Sequence, residues 1–455
     1  MEKTTGEQGT ALITTLLFLV MMGVLSTALV FTVNSEMMTS AAYKYSQQAF
    51  YVANAGVHQA VDWYRNSGYA PTLGAYDVTN LPPKFGGSDV VLAGRDGYDS
   101  NYPDEEISGS FSGQFTESGS STTVLANEKN SGKYSVNATL LKHRSVMFMN
   151  PNDFSSPIPG AVERWSIDSI GYWGPLARPL GIARINAVIE NDGDAFFDRA
   201  LWGKRLVDMG GVSYVDSFDP TKGAWNMTTN RGQMGAIGSN GLIEAGGNTR
   251  IYGDVAYGPS GSYDVDPNKI TGGIFHLSEN RDFPAIPSFE VGSGKNTYKD
   301  DATLPEGKYG GITANKNLTI GPGTYFISDL TVKGTLILAG DTTLFVSGSF
   351  DIQGQAQAGD PAHPENLTVY YSCNPALDKT CDDTIKWNGG TGVSASIYAP
   401  DSTLTLTGGT ELSGSFIADI VNTSGNAEIH FDQGSLNRNI WPRPFRIITW
   451  SQSIN

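Results

Sequence analysis

The residue types that could do chemistry are few and dispersed. Five histidines, His58, His143, His276, His363 and His430, are spread over the 455-residue chain. None falls in an HExxH pair, whose spacing would set two ring nitrogens on one helix face around a metal. Neither a G-x-S-x-G nucleophile elbow nor a phosphate-cradling P-loop occurs. The acids Asp254, Asp351, Asp419 and Asp432, with Arg250, would suit glycosidic chemistry if the fold set two carboxylates at the right separation. Most of them stand in turn-like positions next to glycine, where solvated caps are the common state. The clusters Asp104-Glu105-Glu106 and Asn191-Asp192-Gly193-Asp194 offer oxygens to calcium, yet neither has the twelve-residue loop with a distal bidentate glutamate. They read as solvated turns. The expectation is therefore a chain that is not an enzyme and holds no metal or cofactor; the alternative is an anchored enzyme acting on polysaccharide through a β-helix domain.

The only two cysteines, Cys373 and Cys381, flank a polar turn. In an exported protein they read as one disulfide closing a small loop, with two reduced thiols as the alternative. A zinc site would need further ligands that neither cysteine has nearby. Tyr370, Tyr371 and Trp387 surround this loop and form a candidate adhesion surface, since flat amphipathic rings supply contact area at low entropy cost.

What must position all of this begins with residues 10 to 64, which contain no proline. Thr10 to Val33 are 24 residues without a formal charge, and as a helix they would extend roughly 36 Å, enough to cross a bilayer core. Leu16 lies inside that run, and the first charge is Glu36. Beyond it Met38, Ala41, Ala42, Tyr45, Ala49, Val52, Ala53, Gly56, Val57, Ala60, Val61 and Tyr64 recur at steps of three and four. That period predicts one continuous helix, membrane-embedded first and packed on a domain second.

Before it stands MEKTTGEQG, nine polar residues ending in Gly9. A secretory signal peptide is cut after its apolar core, whereas a cut at Gly9 would leave the core in place. From Glu7-Gln8-Gly9 through Thr10-Ala11-Leu12 to Gln48-Ala49-Phe50-Tyr51-Val52-Ala53-Asn54-Ala55 the chain resembles the type IV pilins, specifically PilX-type minor pilins. The resemblance implies cleavage by prepilin peptidase after Gly9, methylation of Thr10, and insertion in the inner membrane before assembly. It further implies packing against other pilin subunits through the helix, in a pilus at the cell surface. The leader carries Lys3 against Glu2 and Glu7, where the family is usually basic. Thr14 stands where major pilins have glutamate, which points away from a major fibre subunit and toward assembly initiation at the tip, joined to adhesion to a surface receptor. An uncleaved periplasmic scaffold is the other reading of the same anchor.

The net charge is −16, and −15 without the nine leader residues. Such acidity repels phosphate backbones, so nucleic acid is not an expected partner. With 54 glycines and 17% charged residues, the body reads as β-rich. Residues 66 to 195 form the expected β head: a connector at 66–82, strands at 89–93, 106–115, 122–126 and 133–141, then a hairpin of 164–172 with 181–190 around a Gly-Pro turn. From 196 to 435 a degenerate repeat appears, as in GGNTRIYGDVAYG (246–258), KGTLILAGDTTLFVSG (333–348), GGTELSGSFIAD (408–419) and SGNAEIHFD (424–432). Units of a glycine turn before a short alternating strand cannot bury a face alone, so they are expected to stack. The fold class is thus α+β then all-β: a long helix, a small antiparallel head and a large β-solenoid, with a β-sandwich as alternative. This region is similar to the glycine-rich carboxy-terminal domain that often follows PilX-type helices. Residues 280–308, rich in proline, read as an excursion between two stacks, and 436–455 as a tail.

Overall fold

A computed structural model of the chain describes residues 7–66, 69, 73–93, 101–103, 132–175, 177–191, 193–211, 213–246, 248–353, 358–372, 384–388, 392–407, 411–438 and 440–454. The expected strands at 106–115 and 122–126, the acid run at 104–106 and both cysteines lie outside these residues. The chain forms two compact units. The first comprises residues 1–145, 161–192 and 443–455, and the second 146–160 and 193–442.

The first unit is built on the helix Glu7–Asn66. Its residues from 11 to 40 are exposed, and from Ala49 onward one face is buried through Val52, Ala53, Val57, Ala60, Val61, Trp63 and Tyr64. That face lies on an antiparallel sheet. The strand Gly181–Glu190 pairs with Ile158–Trp173 on one side, in a register running from Trp173 opposite Gly181 to Arg164 opposite Glu190. This is the hairpin expected from the sequence. On its other side it pairs antiparallel with Arg446–Ile454, so residues 436–455 are not a free tail. Further along the sheet come Gly132–Phe148 and Val91–Ala93.

Helix and sheet approach closely because their contact rows are small. Ala49, Ala53 and Gly56 face Gly171 and Ser169, and Tyr45 faces Gly181. A Cβ on Gly171 would lie 2.2 Å from the Ala49 carbonyl oxygen, and one on Gly181 would lie 2.5 Å from that of Tyr45. The Ser169 hydroxyl donates to the Ala53 carbonyl at 2.8 Å, satisfying a polar group that would otherwise be buried alone.

In the second unit every strand pairing of the large sheet is parallel, which excludes an antiparallel sandwich there. Equivalent residues stack at the 4.8 Å strand spacing. One inward row runs Tyr325, Leu344, Val369, Ile397, Phe416, Leu201, Ile237, Val255, Ile274. Its members from Tyr325 to Val255 are all fully buried.

The order of that row is not the order of the chain. Leu201 has Ile237 on one side and Phe416 on the other. The chain therefore enters at mid-stack and winds outward to the strand Ile274–His276. It then passes to the opposite end at Lys295–Tyr298 and winds back until Glu411–Ser424 seats against Leu201–Met209.

The crossing is made by residues 277–294, which run without strand pairing over the outer side of the sheet. Leu277, Phe283, Ile286 and Phe289 cover an outward aromatic row that includes Phe345, Tyr370, Tyr398 and Trp202, and the Tyr398 hydroxyl donates to the Pro284 carbonyl at 2.6 Å. The excursion expected over 280–308 is thus shorter. Lys295–Tyr298 and Ala302–Leu304 already belong to the parallel stack, pairing with Gly311–Ala314 and Leu318–Ile320.

The two units are not serial either. Residues 193–442 are inserted between two neighbouring strands of the first unit's sheet, Gly181–Glu190 and Arg446–Ile454. At the neck of the insertion Ala195 pairs antiparallel with Ile440, and Asp194 with Trp441.

Candidate functional site

The exposed half of the helix is the feature that most needs a partner. It is the one helix among the described residues long and apolar enough to cross a membrane, and none of its most apolar window is buried. The hydroxyls of Thr14, Thr15, Thr27 and Thr32 are turned back on the helix itself. Thr14 donates to the Ala11 carbonyl at 3.0 Å, Thr15 to the same carbonyl at 2.8 Å and Thr32 to that of Ala28 at 2.9 Å. Hydroxyls satisfied in this way can sit in an apolar medium without orphaned donors. Leu16 is 65% exposed, and Glu36 is exposed beyond the apolar run. Gly9 and Thr10 fall within the helix Glu7–Asn66, so the backbone at the expected cleavage position is helical.

The acids considered for glycosidic chemistry do not converge. The Asp254 carboxylate accepts from the Gly273 amide at 2.8 Å. Asp419 takes Arg205 in a forked pair, with Nε at 2.8 and 2.9 Å. Asp351 accepts from the Gln353 side chain, and Asp432 accepts from the Gly434 amide at 2.7 Å. Arg250 is exposed, at a strand position beside Tyr214. Asn191 is likewise structural: its side chain accepts from the Glu163 amide at 2.6 Å and donates to the Ala161 carbonyl at 3.0 Å. Among the described residues no group of three or more histidines, cysteines and acids could hold a metal ion.

Two carboxylate–histidine pairs that sequence reading missed sit in the interiors of the units. In the first, Glu163 binds His143 Nδ1 at 2.9 Å and accepts from the Tyr69 hydroxyl at 2.6 Å and the Trp165 indole at 2.8 Å. Burial, and then the Glu163 charge, push the Tyr69 hydroxyl pKa well up, keeping it a donor. In the second, Asp216 binds His430 Nδ1 at 2.6 Å, Arg231 Nε at 3.0 Å and the Trp225 indole at 3.2 Å. The Trp225 ring stacks on His430 at 3.8 Å. Glu163, Asp216 and His430 are all fully buried. Each carboxylate is saturated by donors and covered by aromatic rings, which suits a packing staple and leaves no approach for a substrate. Only the repeat could have hinted at the second pair. Aligning YVDSF (214–218) with EIHFD (428–432) sets Asp216 beside His430, as their strands do.

The expected adhesion surface is corrected in part. Tyr370 is 2% exposed and Tyr371 1%. Tyr370 faces outward from the sheet yet is covered, stacking on Phe345 at 5.0 Å and touching Phe154 at 5.2 Å. Tyr371 belongs to the inner core. The Trp387 side chain lies outside the described residues, as do Cys373 and Cys381.

Residues 312–437, the later-wound part of the parallel stack, match the model of a domain of unknown function, DUF7305. No curated protein matches the chain. Among solved structures it is similar to the competence-associated pilin ComZ from Thermus thermophilus, at 12% identity and a TM-score of 0.27, over 90% of this chain and 98% of that one. A score that low carries no argument, and the functional reading rests on the chain's own geometry.

Proposed function

We propose that the chain is a PilX-type minor pilin or pseudopilin, held in the inner membrane by residues 10–33 before assembly and carried afterwards on a pilus at the cell surface. The observation that carries this reading is the helix. Its first half is uncharged, exposed and internally satisfied, while its second half is packed by small residues onto an antiparallel sheet. A simple membrane tether does not need the second feature, whereas a subunit inserted by its helix into a fibre needs both.

Prepilin peptidase would cut after Gly9 and methylate Thr10, and other pilin subunits would pack on the exposed helix. Thr14 supplies no carboxylate to neutralise the amino terminus of a subunit ahead of it. A subunit with nothing ahead loses nothing by that, so the position proposed is the tip, in assembly initiation. The parallel stack, read as a β-solenoid, would then be the outermost part and the adhesive one, with Cys373 and Cys381 joined as a disulfide in the exported protein. The saturated, covered carboxylates support a role that is not enzymatic.

Isolated surface fibres test this. A mature chain starting at N-methylated Thr10, with antibody gold against residues 196–435 confined to fibre ends, is the expected result. An intact Met1 in fibre-derived protein would overturn the pilin reading, and label along the shaft would overturn the tip position alone.

A further inference from the structure

Between the strands Tyr214–Phe218 and Ile237–Ser239 the chain leaves the stack in an excursion, residues 219–236. Its base is fixed by Asn230, which is 6% exposed. The Asn230 carboxamide accepts from the Asp219 amide at 3.1 Å and donates to the carbonyls of Asp219 at 3.0 Å and Gly223 at 2.8 Å. Asn226 and Asn230 pair as an antiparallel bridge, in which the Asn230 amide donates to the Asn226 carbonyl at 2.9 Å. The turn between them, Met227, Thr228 and Thr229, is exposed, as is Asn226 itself.

Asn226-Met227-Thr228 has the form Asn-x-Thr, whose asparagine accepts a glycan when the tripeptide lies on a surface turn. Tripeptides of the same acceptor class start at Asn137, Asn317, Asn366 and Asn422, and the structure separates them from it. Asn137 is buried inside the strand Gly132–Phe148. Asn422 is held in the strand Glu411–Ser424 between Thr405 and Asp208 of the neighbouring strands. Asn317 accepts from the Thr335 amide at 3.3 Å, and its Thr319 lies in the strand Leu318–Ile320. Thr368, which follows Asn366, is buried in the strand Leu367–Tyr371. A transferase must draw all three residues into its own cleft, which at these four places would break strand pairing. At 226–228 no strand of the stack is disturbed.

The Asn226 side chain is also arranged for transfer. Its Oδ1 accepts from the amides of Thr228 at 3.0 Å and Thr229 at 3.1 Å, while its Nδ2 bonds to no protein group among the described residues. Hydrogen bonds to the oxygen draw electron density from the carboxamide and make the Nδ2 protons more acidic. We propose that Asn226 is an N-glycosylation site, taking from a glycosyltransferase a sugar activated as a glycosyl diphosphate, carried on lipid or on nucleotide. Nδ2 gives up one proton and bonds to the sugar C1 as the bond from C1 to the diphosphate oxygen breaks, the diphosphate leaving with the electron pair. A hydrated glycan here shields Met227 and Met234, which are 65% and 49% exposed. It also stands over the segment whose Trp225 stacks on His430.

Peptide mapping by mass spectrometry, on the full chain recovered from the membranes of the cells that make it, tests this. Most copies of the peptide spanning Asn226 are expected to carry sugar on that residue. A single hexose marks a nucleotide donor and a preassembled oligosaccharide a lipid donor, and both support the site. Asn226→Gln and Thr228→Ala, exposed changes of which the second keeps the carboxamide, should each lower the modified fraction at least tenfold, while Thr228→Ser keeps it. A bare Asn226 in the native chain would overturn the proposal, as would sugar on the Thr228 hydroxyl instead, sugar at Asn137 or Asn422 in its place, or undiminished modification in Thr228→Ala. A bare chain found in fibres would overturn the glycan site and leave the pilus reading standing.

Discussion

Replacing Gly171 by alanine places a methyl group against the backbone of the helix and against nothing that can turn aside. The new carbon would stand 2.2 Å from the Ala49 oxygen, 2.4 Å from the Ala53 nitrogen and 2.9 Å from the Ala53 Cα, where ordinary contact begins at 3.4 Å. The helix must retreat by about 1 Å, and overpacking of this kind costs about 1–3 kcal/mol. The retreat also opens a gap along the buried row from Ala49 to Ala60, thinning its dispersion contacts. It stretches the hydrogen bond from Ser169 to Ala53, now 2.8 Å, at a further cost of about 1 kcal/mol. We expect a loss of about 3 kcal/mol in all. Urea unfolding of the full chain in detergent, followed by the fluorescence of Trp63, Trp165 and Trp173 in the first unit's core, reads it directly. Gly23→Ala is the control, because its methyl would meet nothing within 4 Å. A Gly171→Ala midpoint within about 0.5 kcal/mol of the parent's would refute the close approach of helix and sheet.

Glu163→Ala should cost about 3–5 kcal/mol in the same assay, because it strands the buried donors of His143, Tyr69 and Trp165; a change below about 1 kcal/mol would mean that water replaces the carboxylate. Leu16→Arg puts a charge on the exposed apolar surface of the helix, worth several kcal/mol in lipid. The variant chain is expected to disappear from the fibre fraction, and its normal incorporation would argue against helix-mediated assembly.

The parts of this molecule that could be read from the sequence are those governed by short-range periodicity. The helix, the hairpin strands and the glycine-before-strand units all show a pattern within a window of a dozen residues. Gly181 to Glu190 was expected as a strand and occurs with those limits. What stayed hidden depends on residues far apart in the chain. The pairing of Leu201 with both Ile237 and Phe416, and of Asp216 with His430, follows from the winding order, to which local hydrophobicity is indifferent. Aromatic residues misled for a related reason. Tyr370 alternates outward from the sheet, which suggests exposure, yet residues 277–294 return over that side and bury it. A proline-rich segment looks like a spacer until its apolar residues are matched to a partner surface.

The inserted position of the second unit constrains how the chain can fold. The head sheet is finished only when Arg446–Ile454 joins Gly181–Glu190, and those nine residues follow the whole of the second unit in the chain. Joining two strands across an unstructured stretch of roughly 250 residues would cost about 5 kcal/mol of chain entropy. If the parallel stack winds first, the pairing of Ala195 with Ile440 and of Asp194 with Trp441 holds its two ends together, and only a few residues remain to be closed on either side. The head would then be the last part to become native. A chain truncated within the stack would leave the long helix attached to an incomplete sheet with an open edge, which is a template for proteolysis or aggregation.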